Sequence, residues 1–180
     1  MKNLRTRDHR TVLFRELIHT DYDKLTSYLT NLSDESKRRF GPHPFTRSAV
    51  EEFHQSQKDV TGFVAIDQEQ NVVAYALIAR GVLDEDQPRF LGYGLLPDAN
   101  SWCTFAPSVA DQWQSCGLGS QMFECIAAHC SSKGYKNVML WGGVQSTNTK
   151  AVNYYLKLGF VKLGGFEHNG PNDDMMLQLS

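Results

Sequence analysis

The pattern of apolar and polar residues predicts a strand and three short helices in the N-terminal third of the chain. TVLFREL (11–17) alternates between the two classes, as a strand with one buried face does. Three segments with helical composition and end signals follow it: DYDKLTSYLTNL (21–32), DESKRRF (34–40) and RSAVEEFHQSQ (47–57). Ser33 is placed to cap the second of these helices, and Gly41-Pro42 ends it.

Three strands and one long connection are predicted for the middle of the chain. TGFVAID (61–67) and VVAYALIA (72–79) flank a turn-like polar segment and predict an antiparallel hairpin. Residues 83–101 are acidic and then apolar, with two prolines, which indicates a long excursion that includes a strand of its own. SWCTFAPSV (101–109) predicts the third strand, where Pro107 favours a sheet edge or a bulge.

Helices and strands alternate in the C-terminal third. An amphipathic helix begins at Leu118 and ends near Gly134, and the apolar run VMLWGGV (138–144) is typical of a strand covered on both faces. A helix after Asn148 and a final antiparallel pair complete the order: TKAVNYYLKL, FVKLGGF (160–166) and MMLQL (175–179). The strand–helix–strand unit from 101 to 144 implies a parallel pair with a right-handed crossover.

Composition and charge describe an ordinary globular chain. The 180 residues favour a single domain (1–180), and a formal charge of −2 gives no general attraction to nucleic acid or membranes. No apolar run approaches the roughly 20 residues of a membrane-spanning helix. Residues 1–10 are basic but lack the apolar centre of a secretory signal, so we expect a flexible terminus.

Cysteines and histidines give no sign of a disulfide framework or a metal site. Four cysteines form no CxxC pair: Cys103, Cys116, Cys125 and Cys130. Without an export signal, free thiols and a cytoplasmic location fit best. The six histidines include no HxxxH or HExxH spacing, so no metal site is expected.

Two glycines lie where the 101–109 strand gives way to the next helix, in QSCGLGSQMF (114–123). A dinucleotide fingerprint needs a third small residue where Met122 stands, and a Walker loop needs Gly-Lys-Ser/Thr in place of Gly119-Ser120-Gln121. A backbone nest remains, in which amides from Gln114 to Ser120 point at an anion near the helix N-terminus. The alternative interpretation is a tight strand-to-helix turn without a ligand.

A second motif lies about thirty residues further on, in NTKAVNYYLKLGF (148–160). Together with Gln114-x-x-Gly117-x-Gly119, the pattern Asn-x-x-Ala-x-x-x-Tyr before Gly-Phe resembles the GCN5-related N-acetyltransferase (GNAT) superfamily. The resemblance covers about residues 101–166. It implies an α+β fold with a mixed, mostly antiparallel sheet of about seven strands. Two central parallel strands of that sheet splay apart, and helices cover both faces.

The resemblance also implies a reaction: transfer of acetyl from acetyl-coenzyme A to a primary amine by direct attack in a ternary complex. The nest would hold the pyrophosphate, and Val109 would pair with the pantetheine arm and polarise the thioester carbonyl through its amide. Tyr155 would donate a hydrogen bond or a proton to the departing sulfur. The alternatives are that Tyr154 has this role or that Tyr155 is a core aromatic residue. The implied cofactor contacts are Val109, Gln114, Ser115, Cys116, Gly117, Leu118, Gly119, Ser120, Asn148 and Tyr155. Asn148 also suits a helix N-cap.

Cys116 stands where the family usually has Arg or Lys, so the affinity for the cofactor would be lower unless another residue supplies the charge. A thiol at a helix N-terminus is also a candidate nucleophile, with His43 or His168 as its partner. The non-enzymatic alternative is a module that binds acyl-coenzyme A as a sensor or regulator without turning it over.

The acceptor and the general base stay open. Acidic candidates for the base are Asp84, Glu85, Asp86 and Asp111, and none is singled out. LSDESKRRF (32–40) is similar to a stretch in some bacterial protein-lysine acetyltransferase domains, which favours a protein lysine only slightly. Small amines, an amino sugar, a peptide N-terminus and a protein lysine all remain open as acceptors. The family often forms homodimers, and the sequence does not decide this point.

Overall fold

The computed structural model describes residues 1–179. Nine strands are present: β1 (Lys2–Arg5), β2 (Thr11–Glu16), β3 (Val60–Ile66), β4 (Val72–Arg80), β5 (Trp102–Val109), β6 (Asn137–Leu140), β7 (Val144–Gln145), β8 (Val161–Glu167) and β9 (Pro171–Gln178). Six α-helices accompany them: α1 (Tyr22–Thr30), α2 (Asp34–Arg39), α3 (Arg47–Ser56), α4 (Gln87–Gly92), α5 (Leu118–Ser132) and α6 (Thr149–Lys157).

The sheet is mixed, as predicted. Its strands follow the order β1-β2-β3-β4-β5-β6-β9-β7, and β8 pairs with β9. β5 and β6 run parallel, whereas β1–β2, β2–β3, β6–β9, β7–β9 and β8–β9 are antiparallel. The predicted α+β class with a mostly antiparallel sheet is therefore confirmed, with nine strands instead of about seven.

The two additional strands lie where the sequence signals are weak. Lys2–Arg5, expected to be flexible, pairs with β2 and buries Leu4. The predicted strand 138–144 is divided into β6 and β7, because Gly142 and Gly143 between them have φ angles of 63° and 72°. Left-handed residues cannot continue a strand, so the apolar run turns after Leu140.

Two further expectations differ from the structure. The excursion 83–101 contains helix α4 and no strand; Pro88 lies in its first turn, where a missing amide costs little. Phe90 of this helix is buried against Trp102 and Met139. Pro107 favours an edge position for its strand, but β5 lies inside the strand order. The pairing of β5 with β6 covers Trp102–Phe105, so Pro107 comes after the paired segment.

The chain divides into two compact units, each with its own buried residues. The first comprises Met1–Ile78 and Ala106–Glu124, and the second comprises Ala79–Phe105 and the chain from Cys125 onward. Fully enclosed side chains of the first unit include Leu25, Leu29 and Tyr75, and those of the second include Phe90, Ile126 and Met139. One domain over 1–180 stays a prediction. No helix in residues 1–179 has the length and apolar character of a membrane span.

Candidate active site

The glycine loop connects β5 to α5 through two left-handed residues. A single 3-10 turn covers Asp111–Trp113, and α5 begins at Leu118. Between them, Ser115 has a φ of 62° and Gly117 a φ of 89°. Left-handed residues alternating with ordinary ones turn successive amides toward one side, which is the backbone arrangement of an anion nest. Gly117 is the residue of the pair whose φ calls for glycine, since Gly119 already lies in α5.

Five main-chain amides of this loop have no acceptor within residues 1–179: those of Ser115, Cys116, Gly117, Leu118 and Ser120. The last two belong to the first turn of α5, where a helix leaves its amides unpaired and its dipole favours an anion. The Gln114 amide differs, because it donates to the carbonyl of Asp111 over 3.3 Å. The run of unpaired amides therefore begins at Ser115, one residue later than the sequence suggested.

The side chain of Gln114 fastens the loop to the end of β5. Its Nε2 donates to the Val109 carbonyl over 3.0 Å and approaches Asp111 Oδ1 at 3.5 Å. The side chain is therefore a structural link between two segments of the candidate site. The main-chain amide and the side-chain nitrogen of Gln114 both have partners inside the protein.

Cys116 is turned into the loop, and Arg7 lies over the glycine that follows it. The Cys116 thiol is buried and donates to the Trp113 carbonyl over 2.9 Å. Arg7 Nε lies 3.3 Å from the position that a Cβ would take on Gly117. Sequence reasoning missed Arg7; the one available signal was a basic N-terminal segment in a chain that has Cys116, not a basic residue, before the first glycine.

The second motif is found in the second compact unit. The Asn148 side-chain oxygen accepts from the Ala151 amide over 3.2 Å and caps α6, so the capping interpretation is correct. The Tyr155 ring is buried against Phe160 and Tyr154, with centroids 5.5 and 5.1 Å away. Burial raises the pKa of Tyr155 above its ordinary value, which keeps the phenol protonated at neutral pH.

The hydroxyl of Tyr155 is not fully enclosed by protein. It has no hydrogen-bond partner within residues 1–179. In the same part of the chain, every fully buried side-chain oxygen and nitrogen has a partner. A phenol with a buried ring and an accessible hydroxyl is able to donate a proton or hydrogen bond to a bound molecule.

A comparison with protein families identifies the chain. Residues 27–160 match the family described as "Acetyltransferase (GNAT) family". The chain belongs to the GNAT family. This match covers most of the chain and includes both sequence motifs. Among curated protein sequences, none matches this GNAT chain.

Solved structures with the same fold cover nearly the whole GNAT chain. The GNAT domain of S. lividans PAT has a TM-score of 0.77 and 23% identity, over 99% of this chain and 96% of that one. A GNAT-family acetyltransferase from Streptococcus pneumoniae has a TM-score of 0.72 and 19% identity, over 94% and 99%. Aminoglycoside acetyltransferase AAC(6')-Ib, in complex with coenzyme A, has a TM-score of 0.69 and 18% identity, over 93% and 94%.

Asp111 of this GNAT chain holds the start of α2. Its carboxylate accepts hydrogen bonds from the Ser33 amide (3.1 Å), the Ser33 hydroxyl (2.9 Å) and the Ser36 hydroxyl (2.8 Å). Burial alone raises the pKa of Asp111, but these hydrogen bonds outweigh it and leave the pKa below its usual range. A carboxylate with three donors and a low pKa is a poor proton acceptor.

The other acidic candidates differ in burial. Asp84 and Glu85 are exposed, whereas Asp86 is buried and accepts from Arg89 over 2.8 Å. Arg89 also pairs with the buried Asp174, to which the Tyr93 hydroxyl donates over 3.0 Å. Burial raises the pKa of Asp86 despite the nearby guanidinium. This cluster fixes α4 against β9 within the second unit.

Within residues 1–179, the structure gives Cys116 no hydrogen bond to either histidine that the sequence offered as its partner, so the nucleophile alternative stays a prediction. Its hydrogen is engaged with Trp113, and neither candidate histidine contacts the thiol. His43 instead bonds the Pro44 carbonyl and the Tyr75 hydroxyl, while His168 lies in the turn after β8. The described chain also contains no group of three side chains placed to hold a metal ion.

Proposed function

We propose that this GNAT chain is an N-acetyltransferase that moves an acetyl group from acetyl-coenzyme A to a primary amine. The single observation that carries the proposal is the set of unpaired amides at the start of α5: those of Ser115, Cys116, Gly117, Leu118 and Ser120. A pyrophosphate is the part of the cofactor that such a run suits, because it presents several anionic oxygens to a surface of N–H donors.

The link between Gln114 and Val109 supports a second cofactor contact. The loop and the last residue of β5 are joined by a 3.0 Å hydrogen bond. A molecule anchored on the loop therefore has the end of β5, Ala106–Val109, within the same compact unit. We assign the pantetheine arm to this strand end. The Val109 amide would then polarise the thioester carbonyl, and one such fixed donor is typically worth about 3 kcal/mol in the transition state.

The reaction is direct attack. The amine nitrogen forms a bond to the thioester carbon, the carbon–sulfur bond breaks, and coenzyme A leaves as a thiolate. Tyr155 is assigned to donate a hydrogen bond or a proton to that sulfur, on its motif position and its accessible, protonated hydroxyl. Asn148 is assigned a cofactor contact beside its capping role, on motif position alone.

The acceptor is proposed only as a primary amine of a small molecule, a peptide or a protein. Solved structures with this fold include an aminoglycoside acetyltransferase in complex with coenzyme A and kanamycin, and a putative phosphinothricin N-acetyltransferase. The second name specifies transfer to nitrogen, and the two names differ in the acceptor. An alkyl amine with a pKa of about 10 must lose a proton before attack, so turnover should increase with pH between about 6 and 8.

Two measurements on the whole chain test the function. Titration calorimetry with acetyl-coenzyme A is expected to show one site per chain. A thiol-release assay over amino sugars, polyamines, peptides and a lysine-rich protein is expected to show turnover with at least one amine class. Binding without release on any amine would favour the sensor alternative, and absence of binding to acetyl-coenzyme A and to coenzyme A would overturn both.

A further inference from the structure

The turn between β1 and β2 is fastened to the glycine loop at several points. The Arg7 amide donates to the Cys116 carbonyl over 2.9 Å, and Gln121 Nε2 donates to the Arg5 carbonyl over 2.9 Å. The Arg10 guanidinium lies 3.7 Å above the Trp113 ring and donates to the Gln112 carbonyl over 3.1 Å. Residues 5–10 are therefore held in place beside the loop.

Of the two arginines between β1 and β2, Arg7 and Arg10, only Arg7 has no acidic partner in residues 1–179. Asp8, its neighbour, is paired with Arg10 over 2.6 Å and also accepts from the Thr6 hydroxyl. These two interactions lower the pKa of Asp8 to about 2, so its charge is already balanced. The Arg7 side chain is exposed, and no ion pair draws its guanidinium elsewhere.

The path of the Arg7 side chain follows the surface of the loop. Its Cγ, Cδ and Nε lie 3.4, 3.6 and 3.3 Å from the position that a Cβ would take on Gly117. Gly117 is the central residue of the run of unpaired amides, and it lacks a side chain that would displace this one. The preceding residue, Cys116, has no charge and is buried.

We infer that Arg7 is the phosphate-binding cation of this site and takes the place of a cation within the loop at Cys116. The inference rests on the proposed function. The guanidinium presents several N–H donors in a planar fork that matches phosphate oxygens, and the loop amides bind the same group from the main chain. The ligand chemistry is the pyrophosphate of a coenzyme A thioester. Arg7 binds the cofactor and takes no part in proton transfer.

The test compares charge variants in the full-length chain by calorimetry with coenzyme A. Arg7→Gln removes the guanidinium but keeps the amide that bonds Cys116, so the thermal midpoint should change by no more than about 2 °C. Its affinity for coenzyme A is expected to decrease about tenfold or more, as for loss of a hydrogen bond to a charged group. Arg7→Lys should recover most of the lost affinity.

Arg5→Gln is the matched control, because it removes the same charge from an exposed position two residues away and preserves the Arg5 carbonyl. Its affinity should stay within about twofold of wild type, because within residues 1–179 Arg5 bonds Gln121 through its main-chain carbonyl and not through its side chain. Equal losses for Arg5→Gln and Arg7→Gln would overturn the inference in favour of a general charge effect.

Dephospho-coenzyme A, which lacks the 3′-phosphate, locates the contact. A loss in Arg7→Gln that is the same for both ligands supports the pyrophosphate. A loss seen with coenzyme A alone would assign Arg7 to the 3′-phosphate and overturn the proposal. Wild-type protein that binds neither ligand would contradict the proposed function itself, whereas wild-type binding that Arg7→Gln leaves unchanged would contradict this inference alone.

Discussion

The side-chain nitrogen of Gln114 donates a hydrogen bond to the main-chain carbonyl of Val109 over 3.0 Å. This bond joins the last residue of β5 to the loop that precedes α5, five residues later in the chain. It fixes the distance between the strand end and the run of unpaired amides. A ligand that contacts both therefore meets a preorganised surface, which lowers the entropic cost of binding.

Replacing Gln114 by Met tests this link. The substitution keeps the length of the side chain and removes its donor, so the Val109 carbonyl loses its partner. We expect a loss of about 1 kcal/mol in the free energy of unfolding and a coenzyme A affinity about fivefold weaker. Gln112→Met is the control, because Gln112 contributes its main-chain carbonyl to Arg10. Equal affinities of the two variants would contradict the role of the link.

Alanine substitutions of two left-handed glycines should lower stability equally, whereas only the one at Gly117 should lower the affinity for coenzyme A. Gly117→Ala places a Cβ at a φ of 89° and 3.3 Å from Arg7 Nε, closer than an ordinary van der Waals contact, so the Arg7 side chain must move. Gly134→Ala has the same backbone problem at a φ of 86°, with no heavy atom within 4 Å of the added Cβ. Both should lose about 1 kcal/mol of stability by denaturant unfolding. Only Gly117→Ala should weaken coenzyme A binding, and a matching loss in Gly134→Ala would refute this.

Tyr155→Phe tests the assignment of the sulfur donor. The ring packing against Phe160 is kept, and only the hydroxyl is lost. We expect kcat to decrease by about 100-fold, with KM for acetyl-coenzyme A nearly unchanged, because the hydroxyl acts in the transition state.

The pKa of Tyr155 is raised, so this decrease should be the same from pH 6 to 9. Tyr154→Phe is the neighbouring control, and it should keep a kcat close to wild type. The assignment fails if Tyr155→Phe retains more than half of the wild-type kcat.

A buried Tyr75 hydroxyl joins two histidines in the first unit. His43 Nδ1 faces the Pro44 carbonyl at 2.8 Å and must carry a hydrogen, so His43 Nε2 accepts from Tyr75 over 3.1 Å. The Tyr75 oxygen then accepts from His54 Nε2 over 2.7 Å. Both imidazole rings are neutral in this arrangement of hydrogen bonds. Burial lowers the pKa of each, and repulsion from His43 adds to the effect at His54, whose pKa is about 4.

The buried, neutral His54 predicts that the protein loses stability in acid. The folded-state pKa of His54 lies below its ordinary value of about 6.5, so the unfolded chain takes up a proton first as the pH falls. The contribution to stability is complete above pH 6.5 and is lost between 6.5 and about 4. The free energy of unfolding should decrease by up to about 2 kcal/mol between pH 7 and 5 from this group.

His54→Gln keeps a side-chain donor but does not titrate, so its stability should change less over the same pH interval, as measured by urea unfolding. His168→Gln is the control, because His168 is an exposed residue of the turn after β8. Identical slopes of stability against pH in wild type and His54→Gln would show that the histidine pair is not responsible.

Local signals in the sequence were sufficient for most helices and strands. Ser33 and Asn148 cap α2 and α6 with their side chains, as their positions before helical segments indicated. The glycine pair correctly marked the change from β5 to α5. Such features depend on a few consecutive residues, because caps and left-handed turns are set by local backbone geometry.

Strand β1, the division between β6 and β7, and helix α4 were not evident in the sequence. Lys2–Arg5 has no clear alternation and becomes a strand by pairing with β2. Gly142 and Gly143 follow the end of β6 within an apolar run that continues beyond them, so composition does not show where the strand stops. For short segments the neighbouring strand, more than intrinsic propensity, decides the conformation.

The sequence by itself determined most of the helices and strands, the position of the glycine loop and the family motifs, since each depends on neighbouring residues. Only the tertiary structure decided that Gln114 bonds Val109 and that Arg7 lies over Gly117. The second contact joins residues 110 positions apart, and it exists because the β1–β2 turn is bound to the loop by the Arg7 amide and Arg10. Periodicity along a chain carries no information about contacts of that kind, which packing between distant segments creates.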